Sequence, residues 1–300
     1  MKFQGVGRSK RIRRLFAGSA NLLIILSLAG IIELAFFFTE SWAHSLFIQS
    51  SRYTVRPGAS TPLFFCYGHH FPVDGAVRRN KLAWVKVRSP EGKTKRLALR
   101  DEQTLHSYLI HYDVEGTWTL TAETTPGYYA IYTDKKGKIR HTLQPLSAFL
   151  DTAERVQSSM RSSQWTKTYV TCGTSSTPFP SQVGLPLEIV PLHNPLLLKV
   201  GSQLTVQIYT NGEPYQGTGV WDATYNGYST EAEDMYVQKT TVEGGKFVVP
   251  IDHPGRWYVR FFTKKAAPLD KRDRYRTEKR TTTLSFEVRN ERRRPRSPSS

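Results

Sequence analysis

The sequence of 300 residues contains only two cysteines and none of the familiar catalytic signatures. Two cysteines exclude a disulfide-dense miniprotein and any cysteine-rich zinc module. The patterns of a nucleophile elbow, a zinc-dependent protease and a phosphate-binding loop are also missing. Acidic residues are scarce, with 25 Asp and Glu against 42 Lys and Arg, so the formal net charge is +17. We therefore predict a binding protein and not an enzyme.

Aromatic residues, in contrast, are abundant, with 15 Tyr, 15 Phe and 6 Trp. This composition argues against a disordered chain, because disorder requires low hydrophobicity as well as high net charge. A chain of this length has room for one large domain or two ordinary ones, each with its own core.

The first 43 residues are typical of a targeting segment. Basic residues precede the apolar run Leu22–Ile32, whose length suits the central region of a secretory signal peptide. Ser41 and Ala43 place small residues at the positions required for cleavage after Ala43. The alternative is an uncleaved membrane anchor over 16–38, although the Glu33 carboxylate would be costly inside a bilayer. Either way, we expect everything after residue 43 to be periplasmic, free or tethered to the inner membrane.

Export changes the meaning of the positive charge. Residues 1–43 and the tail 289–300 each carry +4, which leaves +9 on the body between them. An exported protein meets no cytoplasmic nucleic acid, so we exclude nucleic acid as a partner and favour an anionic membrane surface. The tail is rich in Arg, Pro and Ser and is predicted to be disordered.

Short runs that alternate apolar and polar residues dominate the body and predict β-strands. A Gly-x-Trp sequence introduces one of them at Gly116 and another at Gly255, which suggests two copies of one fold. We therefore predict an all-β chain of tandem immunoglobulin-like β-sandwich domains, over 44–130 and 185–288. The predicted strands are 81–88, 117–123, 203–209, 246–251, 256–262 and 281–288.

The segment 131–184 is predicted to be a linker that carries one short helix over 147–162. The helical spacing of three and four residues is formed by Leu150, Ala153, Val156 and Met160.

The two cysteines lie far apart in the sequence, Cys66 on a predicted strand and Cys172 in the linker. An oxidising compartment would allow a disulfide between them. Two unpaired thiols are the alternative.

His44 becomes the N-terminal residue if cleavage follows Ala43. An N-terminal histidine can chelate a metal ion through its α-amino group and its imidazole together, because the amine loses its proton at modest cost. Nitrogen donors suit nickel, cobalt, copper and zinc far better than calcium or magnesium. The alternative is that a histidine occurs at this position by chance, since any residue can follow a signal peptide.

A second candidate is the loop Tyr67–Asp74, which follows a predicted strand and contains His69 and His70. Gly68 and Pro72 would fix the backbone, and Asp74 could bind the metal or orient a histidine. A pair of surface histidines with no function is the alternative, and on its own a His-His pair does not exclude it.

These features occur in an order that resembles a known family. An Ala-His follows the signal peptide, Tyr67-Gly-His69 follows the first strands, and the block 184–219 (GLPLEIVPLHNPLLLKVGSQLTVQIYTNGEPYQGTG) is the most specific part. The resemblance covers 44–288 and points to exported proteins of unknown function labelled periplasmic components of nickel or cobalt transport systems. It implies β-sandwich domains and metal capture beside a membrane transporter, with the family's histidines at His44 and His69.

We therefore expect a non-enzymatic periplasmic protein that binds a transition-metal ion, nickel or cobalt first and copper next. The expected ligands are His44 and His69, with His70 and Asp74 ligating or supporting them. An alternative is a structural or adhesive envelope module that binds glycans or proteins through aromatic surfaces such as Trp221–Tyr228. A copper redox enzyme is a more distant alternative.

Overall fold

All six of the predicted alternating runs form strands in the computed structural model, which describes residues 44–290. The predicted leader, 1–43, and most of the predicted disordered tail, 289–300, lie outside the described residues. The strands are β1 Ser45–Ser50, β2 Thr54–Val55, β3 Ala59–Gly68, β4 Val77–Arg78, β5 Leu82–Arg88, β6 Thr94–Arg96, β7 Thr104–Leu105, β8 Ser107–Tyr112, β9 Gly116–Thr124, β10 Gly127–Asp134, β11 Ile139–Thr142, β12 Ala153–Cys172, β13 Leu187–Pro191, β14 Ser202–Thr210, β15 Glu213–Pro214, β16 Thr218–Tyr225, β17 Val237–Glu243, β18 Lys246–Ile251, β19 Gly255–Ala266 and β20 Thr277–Val288.

Helical structure in the described residues is limited to single 3₁₀ turns. They lie at Arg79–Lys81, Leu146–Ala148, Pro195–Leu197 and Leu269–Lys271. None of the helices within 44–290 is long and apolar enough to cross a membrane.

The prediction of a helix over 147–162 is wrong. A 3₁₀ turn occupies Leu146–Ala148, and β12 begins at Ala153 and runs for 20 residues. This strand pairs with β10 and β9 in antiparallel orientation and with β20 in parallel orientation. Within 153–162 the strand is hydrogen-bonded to β10 and, from Met160 onward, to β20, and this pairing outweighs a helical spacing that local sequence alone supports.

The strands form one large sheet and smaller sheets packed against it. Eight strands of the large sheet follow the order β17-β16-β19-β20-β12-β9-β5-β6, and β2, β10 and β11 join it beside this path. One small sheet contains β1, β3 and β8, and another contains β13, β14, β15 and β18. The predicted all-β fold of immunoglobulin-like sandwiches is confirmed.

The two small sheets cover opposite faces of the large one. On β12, Trp165 and Tyr169 belong to the apolar cluster formed with β13, β14 and β18. Val170 and Cys172 belong to the cluster formed with β1, β3 and β8. Because successive side chains of a strand point to opposite faces, β12 contributes to both cores.

Strand β1 lies across the large sheet with all six of its residues buried. One of its edges pairs with β3, and the other edge is paired with side chains instead of a strand. Leu46 N–H donates to Gln164 Oε1 at 2.6 Å, and Ile48 N–H donates to Thr166 Oγ1 at 3.2 Å. The Thr283 hydroxyl donates to Leu46 O at 2.9 Å.

Two further contacts complete this edge. The hydroxyl of Ser285 donates to Ile48 O, and Gln164 Nε2 donates to the carbonyl of His44 at 2.8 Å. A buried backbone group without a partner would cost free energy comparable to a lost hydrogen bond. The polar side chains of β12 and β20 therefore fix the position of β1, and with it the position of His44.

Cys66 and Cys172 are both buried free thiols, so the disulfide considered from the sequence does not form. Cys66 Sγ contacts Gln49 and the carbonyl of Pro72, whereas Cys172 Sγ contacts the carbonyl of Tyr112. Burial raises the pKa of both thiols, which keeps them protonated.

Replacing Thr283 with Val tests how β1 is held. The change keeps the shape of the side chain but leaves the buried carbonyl of Leu46 without its donor, so we expect the free energy of unfolding to fall by about 1–3 kcal/mol. Chemical denaturation measures this loss. Thr241→Val, at an exposed position on β17, is the matched control and should change stability little. Equal stability of the two variants would contradict the assigned role of Thr283.

Candidate functional site

The structure brings together two of the four histidine and aspartate residues predicted from the sequence. Ser45 of β1 pairs with Gly68 of β3, so His44 and His69 flank the last pair of this antiparallel ladder. Their ring centroids lie 4.5 Å apart. His44 also stacks on Tyr67 at 5.4 Å between centroids. The pairing of β1 with β3 thus creates a histidine pair from residues 25 positions apart in the chain.

The ring of His69 is held by an acidic side chain from the other half of the sequence. Its Nδ1 lies 2.9 Å from Oε1 of Glu233. With Nδ1–H donated to this carboxylate, the neutral ring carries its lone pair on Nε2. Metal-binding histidines show the same arrangement, in which a carboxylate fixes the tautomer and orientation of the ring.

Glu233 is itself held by Arg260, which lies between two carboxylates. Arg260 donates to Glu233 Oε1 at 3.0 Å and to Glu233 Oε2 at 2.7 Å. It also donates to both oxygens of Asp222 and to the hydroxyl of Ser45. The guanidinium and the Asp222 carboxylate are almost completely buried. One arginine thus connects the carboxylate behind His69 to the residue that follows His44.

The backbone at Glu233 is strained. Its φ is +60°, in the left-handed region that residues other than glycine rarely adopt. The N–H of Glu233 donates to the carbonyl of His69 at 3.2 Å, so backbone and side chain both contact the same residue. Strained conformations of this kind persist where surrounding contacts impose them and are concentrated at functional sites.

The electrostatic environment of this cluster favours ionised Glu233. Burial opposes ionisation, but hydrogen bonds from His69 and Arg260 outweigh it and place the pKa of Glu233 far below its ordinary value. The pKa of His44 is lowered by burial and by the neighbouring His69. At neutral pH the cluster therefore contains a neutral His44 ring and an ionised Glu233 carboxylate.

The other two predicted residues, His70 and Asp74, belong to the loop that carries His69. The Asp74 carboxylate accepts hydrogen bonds from the backbone N–H groups of His69, His70 and Gly75. Its Oδ2 also lies 3.1 Å from Nδ1 of the exposed His70. Burial opposes ionisation of Asp74, but the backbone hydrogen bonds from His70, His69 and Gly75 outweigh it and lower its pKa. In this structure Asp74 shapes the loop, and His70 contacts Asp74.

Sequence reasoning missed Asp222, Glu233 and Arg260. All three lie in the second half of the chain, and no motif connects them to the histidines. Within residues 44–290, no group of three or more His, Cys, Asp or Glu side chains is arranged to hold a metal ion. His44 and His69 supply two imidazoles, so a chelate with a third donor would need an atom other than these side chains.

A second cluster, of aromatic rings, lies where the chain leaves Glu233. Tyr236 contacts Tyr225, Tyr228, Trp257 and His253, with centroids between 5.2 and 5.9 Å apart. The ring of His253 also stacks on Tyr225 at 4.4 Å. Of the predicted aromatic run Trp221–Tyr228, Tyr228 is 38% exposed, whereas Trp221 is buried in the apolar cluster beneath the sheet of β13, β14, β15 and β18. Part of the predicted aromatic surface therefore faces solvent and part belongs to the core.

Comparison with known proteins identifies a family. The family described as a domain of unknown function, DUF4198, matches residues 41–265. No curated protein sequence matches the chain.

Solved structures with a similar fold are distant in sequence. A DUF4785 family protein from Legionella pneumophila is 11% identical, with a TM-score of 0.21 over 71% of this chain and 50% of the other. The Salmonella alpha-2-macroglobulin is 13% identical, with a TM-score of 0.24 over 81% of this chain and 15% of the other. Fibronectin(III)-like modules of Clostridium thermocellum CbhA are 7% identical, with a TM-score of 0.19 over 81% of this chain and 94% of the other. The matched region thus spans half or less of the length of the Legionella protein and of the alpha-2-macroglobulin.

The low pKa of Glu233 predicts how stability depends on pH. The unfolded chain takes up a proton at the ordinary value of 4.5, before the folded protein does. The stabilisation from Glu233 is therefore complete above this value and is lost as the pH falls below it. We expect Glu233→Gln to reduce the loss of unfolding free energy between about pH 5 and pH 3, measured by denaturation at each pH. Glu213→Gln, at an exposed position, should leave the profile unchanged. Identical profiles for wild type and Glu233→Gln would contradict the assignment.

Proposed function

This chain belongs to the DUF4198 family, and we propose that it is an exported, non-enzymatic protein that binds a transition-metal ion through His44 and His69. The observation that carries the proposal is the adjacency of the two imidazoles, one of them oriented by a carboxylate. Neither β1 nor the His69 loop forms this pair alone. The large sheet places both, through Gln164 below His44 and Arg260 below Glu233.

The donors on the two histidines suit such an ion. Nε2 of His69 would be the ligating atom, because Nδ1 is engaged by Glu233. His44 would contribute its imidazole from the start of β1. The ring of His69 is oriented by Glu233, and the centroid of the His44 ring lies 4.5 Å from it, so the two imidazoles are close enough to share one ion.

A third donor would come from the backbone. Cleavage after Ala43 would give His44 a free α-amino group, and this amine and the imidazole could chelate one ion together. A backbone amine is not a side chain, so this chelate is compatible with the lack of a three-side-chain cluster in the described residues. Buried β1 begins immediately after His44, so an amine at this position would lie beside His69.

The nitrogen donors favour nickel or cobalt, with copper next. Imidazole and amine ligands suit late transition metals, whereas calcium and magnesium require oxygen ligands. A positive body repels cations at long range, so the ion must be held by local chelation. Asp74 and Glu233 are the acidic groups that act on His44 and partly offset this repulsion.

The cellular role that fits these features is metal capture in the periplasm. We propose that the ion is passed to a membrane transporter, while the positive body keeps the protein near an anionic membrane surface. The supporting observations are the signal-like leader, the charge of the body and the family resemblance in the sequence.

Histidine variants test the proposed site. We expect His69→Ala to weaken binding of Ni²⁺ and Cu²⁺ by about 100-fold or more in isothermal titration, since one of few ligands is removed. Glu233→Gln should weaken binding by about 10- to 100-fold, because the ring of His69 loses its orienting carboxylate. His193→Ala, an exposed histidine outside the cluster, is the control. Tight binding that survives in His69→Ala would disprove the proposal.

The N-terminus of the exported protein provides a separate test. We expect mass spectrometry of periplasmic protein to find His44 as the first residue with an unmodified amine. Extending the N-terminus by one Ala should weaken metal binding by about tenfold or more, because the amine leaves the chelate while the imidazole stays. If the leader is retained and the ion still binds tightly, the two imidazoles suffice and the role of the amine is wrong.

The aromatic cluster supports a second candidate function. Tyr225, Tyr228 and Tyr236 lie together at one end of a sandwich, and such rings bind glycans or peptides in other proteins. This adhesive envelope module would need no metal. Retention on an immobilised glycan that is lost in Tyr228→Ala and unaffected by His69→Ala would favour it.

A further inference from the structure

One part of the large sheet projects beyond its neighbours. Strand β12 pairs with β20 only from Met160 onward and with β9 only from Tyr169 onward. Before Met160 it pairs with β10, which pairs in turn with β11. We call this three-stranded projection, residues 127–159, the flap.

The flap covers only one of its own faces. On that face Tyr132 stacks on Phe149 at 4.5 Å between ring centroids, and Leu146 belongs to the same small apolar cluster. Thr133 follows Tyr132 and therefore points to the opposite face. Ile139 pairs with Thr133 across the hairpin, so it lies on this opposite face as well, where it is exposed.

Large aliphatic side chains are exposed on the flap and on the loop 267–276 beside it. Their exposed fractions lie between 45% and 80%, and they are Ile139, Leu143, Leu150 and Leu269. A single exposed aliphatic residue needs no explanation, but several on adjoining segments are typical of a surface that meets an apolar partner.

Backbone hydrogen bonds hold these segments together. The N–H of Lys135, in the turn of the hairpin, donates to the carbonyl of Thr152 at 3.2 Å. The N–H of Leu146 donates to the carbonyl of Arg274 at 2.7 Å, which joins the loop 267–276 to the flap. The segments that carry the four aliphatic residues therefore adjoin one another at one end of the protein.

Most of the excess positive charge of the body lies at this same end. Residues 134–155 and 264–276 together contain 11 Lys and Arg against five Asp and Glu, which gives +6. The whole body between the predicted leader and tail carries +9. An anionic partner would therefore be attracted to this end more strongly than to the rest of the body.

The turn of the hairpin presents lysines beside the exposed Ile139. The carboxylate of Asp134 accepts hydrogen bonds from the N–H groups of Lys136 and Lys138, both at 2.9 Å, and from Nε of Arg140 at 2.8 Å. These contacts occupy the acidic group of the turn. The side chains of Lys135, Lys136 and Lys138 are exposed.

The described chain begins on the side of the flap. Leu46 N–H donates to Gln164 and Ile48 N–H donates to Thr166, so β1 runs in the same direction as β12. The first residue before β1, His44, therefore lies toward the end of β12 from which the flap projects.

We propose that the flap and the loop 267–276 dock on a bilayer that contains anionic phospholipid. The lysines and arginines would bind the headgroups, and the exposed aliphatic side chains would reach the boundary of the acyl chains. An acidic polysaccharide would attract the same basic residues but offers no apolar phase to the aliphatic ones. Docking in this way would turn the side of the body that carries His44 toward the membrane.

This proposal rests on the export assumed in the proposed function, but it uses neither His44 nor His69. Both large apolar cores lie within the described residues, so the test uses the chain from His44 to Ser300. The protein is freed of metal before the experiment. Failure to bind vesicles then leaves the metal site unaffected, and failure to bind metal leaves the docking surface unaffected.

The experiment is cosedimentation with vesicles of phosphatidylcholine, with and without an equal part of phosphatidylglycerol. We expect binding to the mixed vesicles only, and weaker binding as sodium chloride is added. The double variant Lys135→Glu with Lys136→Glu should bind about tenfold or more weakly, because headgroup contacts become repulsive. Ile139→Ser with Leu150→Ser should also lose about tenfold or more, because less apolar surface leaves water.

The controls carry the same changes elsewhere on the surface. Lys95→Glu with Lys246→Glu alters the net charge equally, and Leu109→Ser with Leu197→Ser removes two aliphatic side chains that are at least as exposed as Leu150. Both controls should bind like wild type. Leu269→Ser, on the adjoining loop, tests the surface without any change to the flap and should weaken binding.

Three outcomes would overturn the proposal. The first is that wild type does not bind the mixed vesicles. The second is that the controls lose as much affinity as the flap variants. The third is that the lysine variant loses binding while Ile139→Ser with Leu150→Ser and Leu269→Ser keep it, since the attraction is then purely electrostatic, as for an acidic polysaccharide. Circular dichroism spectra and melting temperatures like those of wild type show that the compared variants are folded.

Discussion

The structure depends on how the outer edge of β1 is satisfied. A strand buried across a sheet, with a neighbour on only one side, would leave a row of backbone groups without partners. Here Gln164, Thr166, Thr283 and Ser285 provide those partners from the sheet below. Their spacing along β12 and β20 fits the spacing of the backbone groups on β1. This polar ladder holds the first described strand in place and so decides where His44 lies.

On the same face of the large sheet, the side chains next to this polar ladder are charged. Arg260, on the adjacent β19, contacts Ser45 and also holds Glu233 behind His69. A buried arginine flanked by two carboxylates is costly to assemble, because each ion loses its hydration, and removing one partner is more costly still. Removing Asp222 or Glu233 would therefore leave a buried positive charge without one of its partners. The cluster connects Glu233, and through it the ring of His69, to the large sheet.

The cation binding that we propose would require this local order, because the body of the protein is positively charged. Long-range attraction cannot concentrate the ion, so affinity has to come from donors placed close together. The carboxylates of Glu233 and Asp74 are tied to the histidine loop, where they act as orienting groups near His69.

The strands could be predicted from the sequence, because alternation along β5, β9, β14 and β20 is a local property of the chain. It also identified His44 and His69 as candidates. The helix predicted over 147–162 was wrong because this part of β12 is hydrogen-bonded to β10 and β20, and local spacing carries no information about these distant strands. The contact between Glu233 and His69 could not be predicted, because the two lie 164 positions apart in the sequence. It forms in the folded chain, where Arg260 and the left-handed backbone conformation of Glu233 hold the carboxylate against the ring of His69.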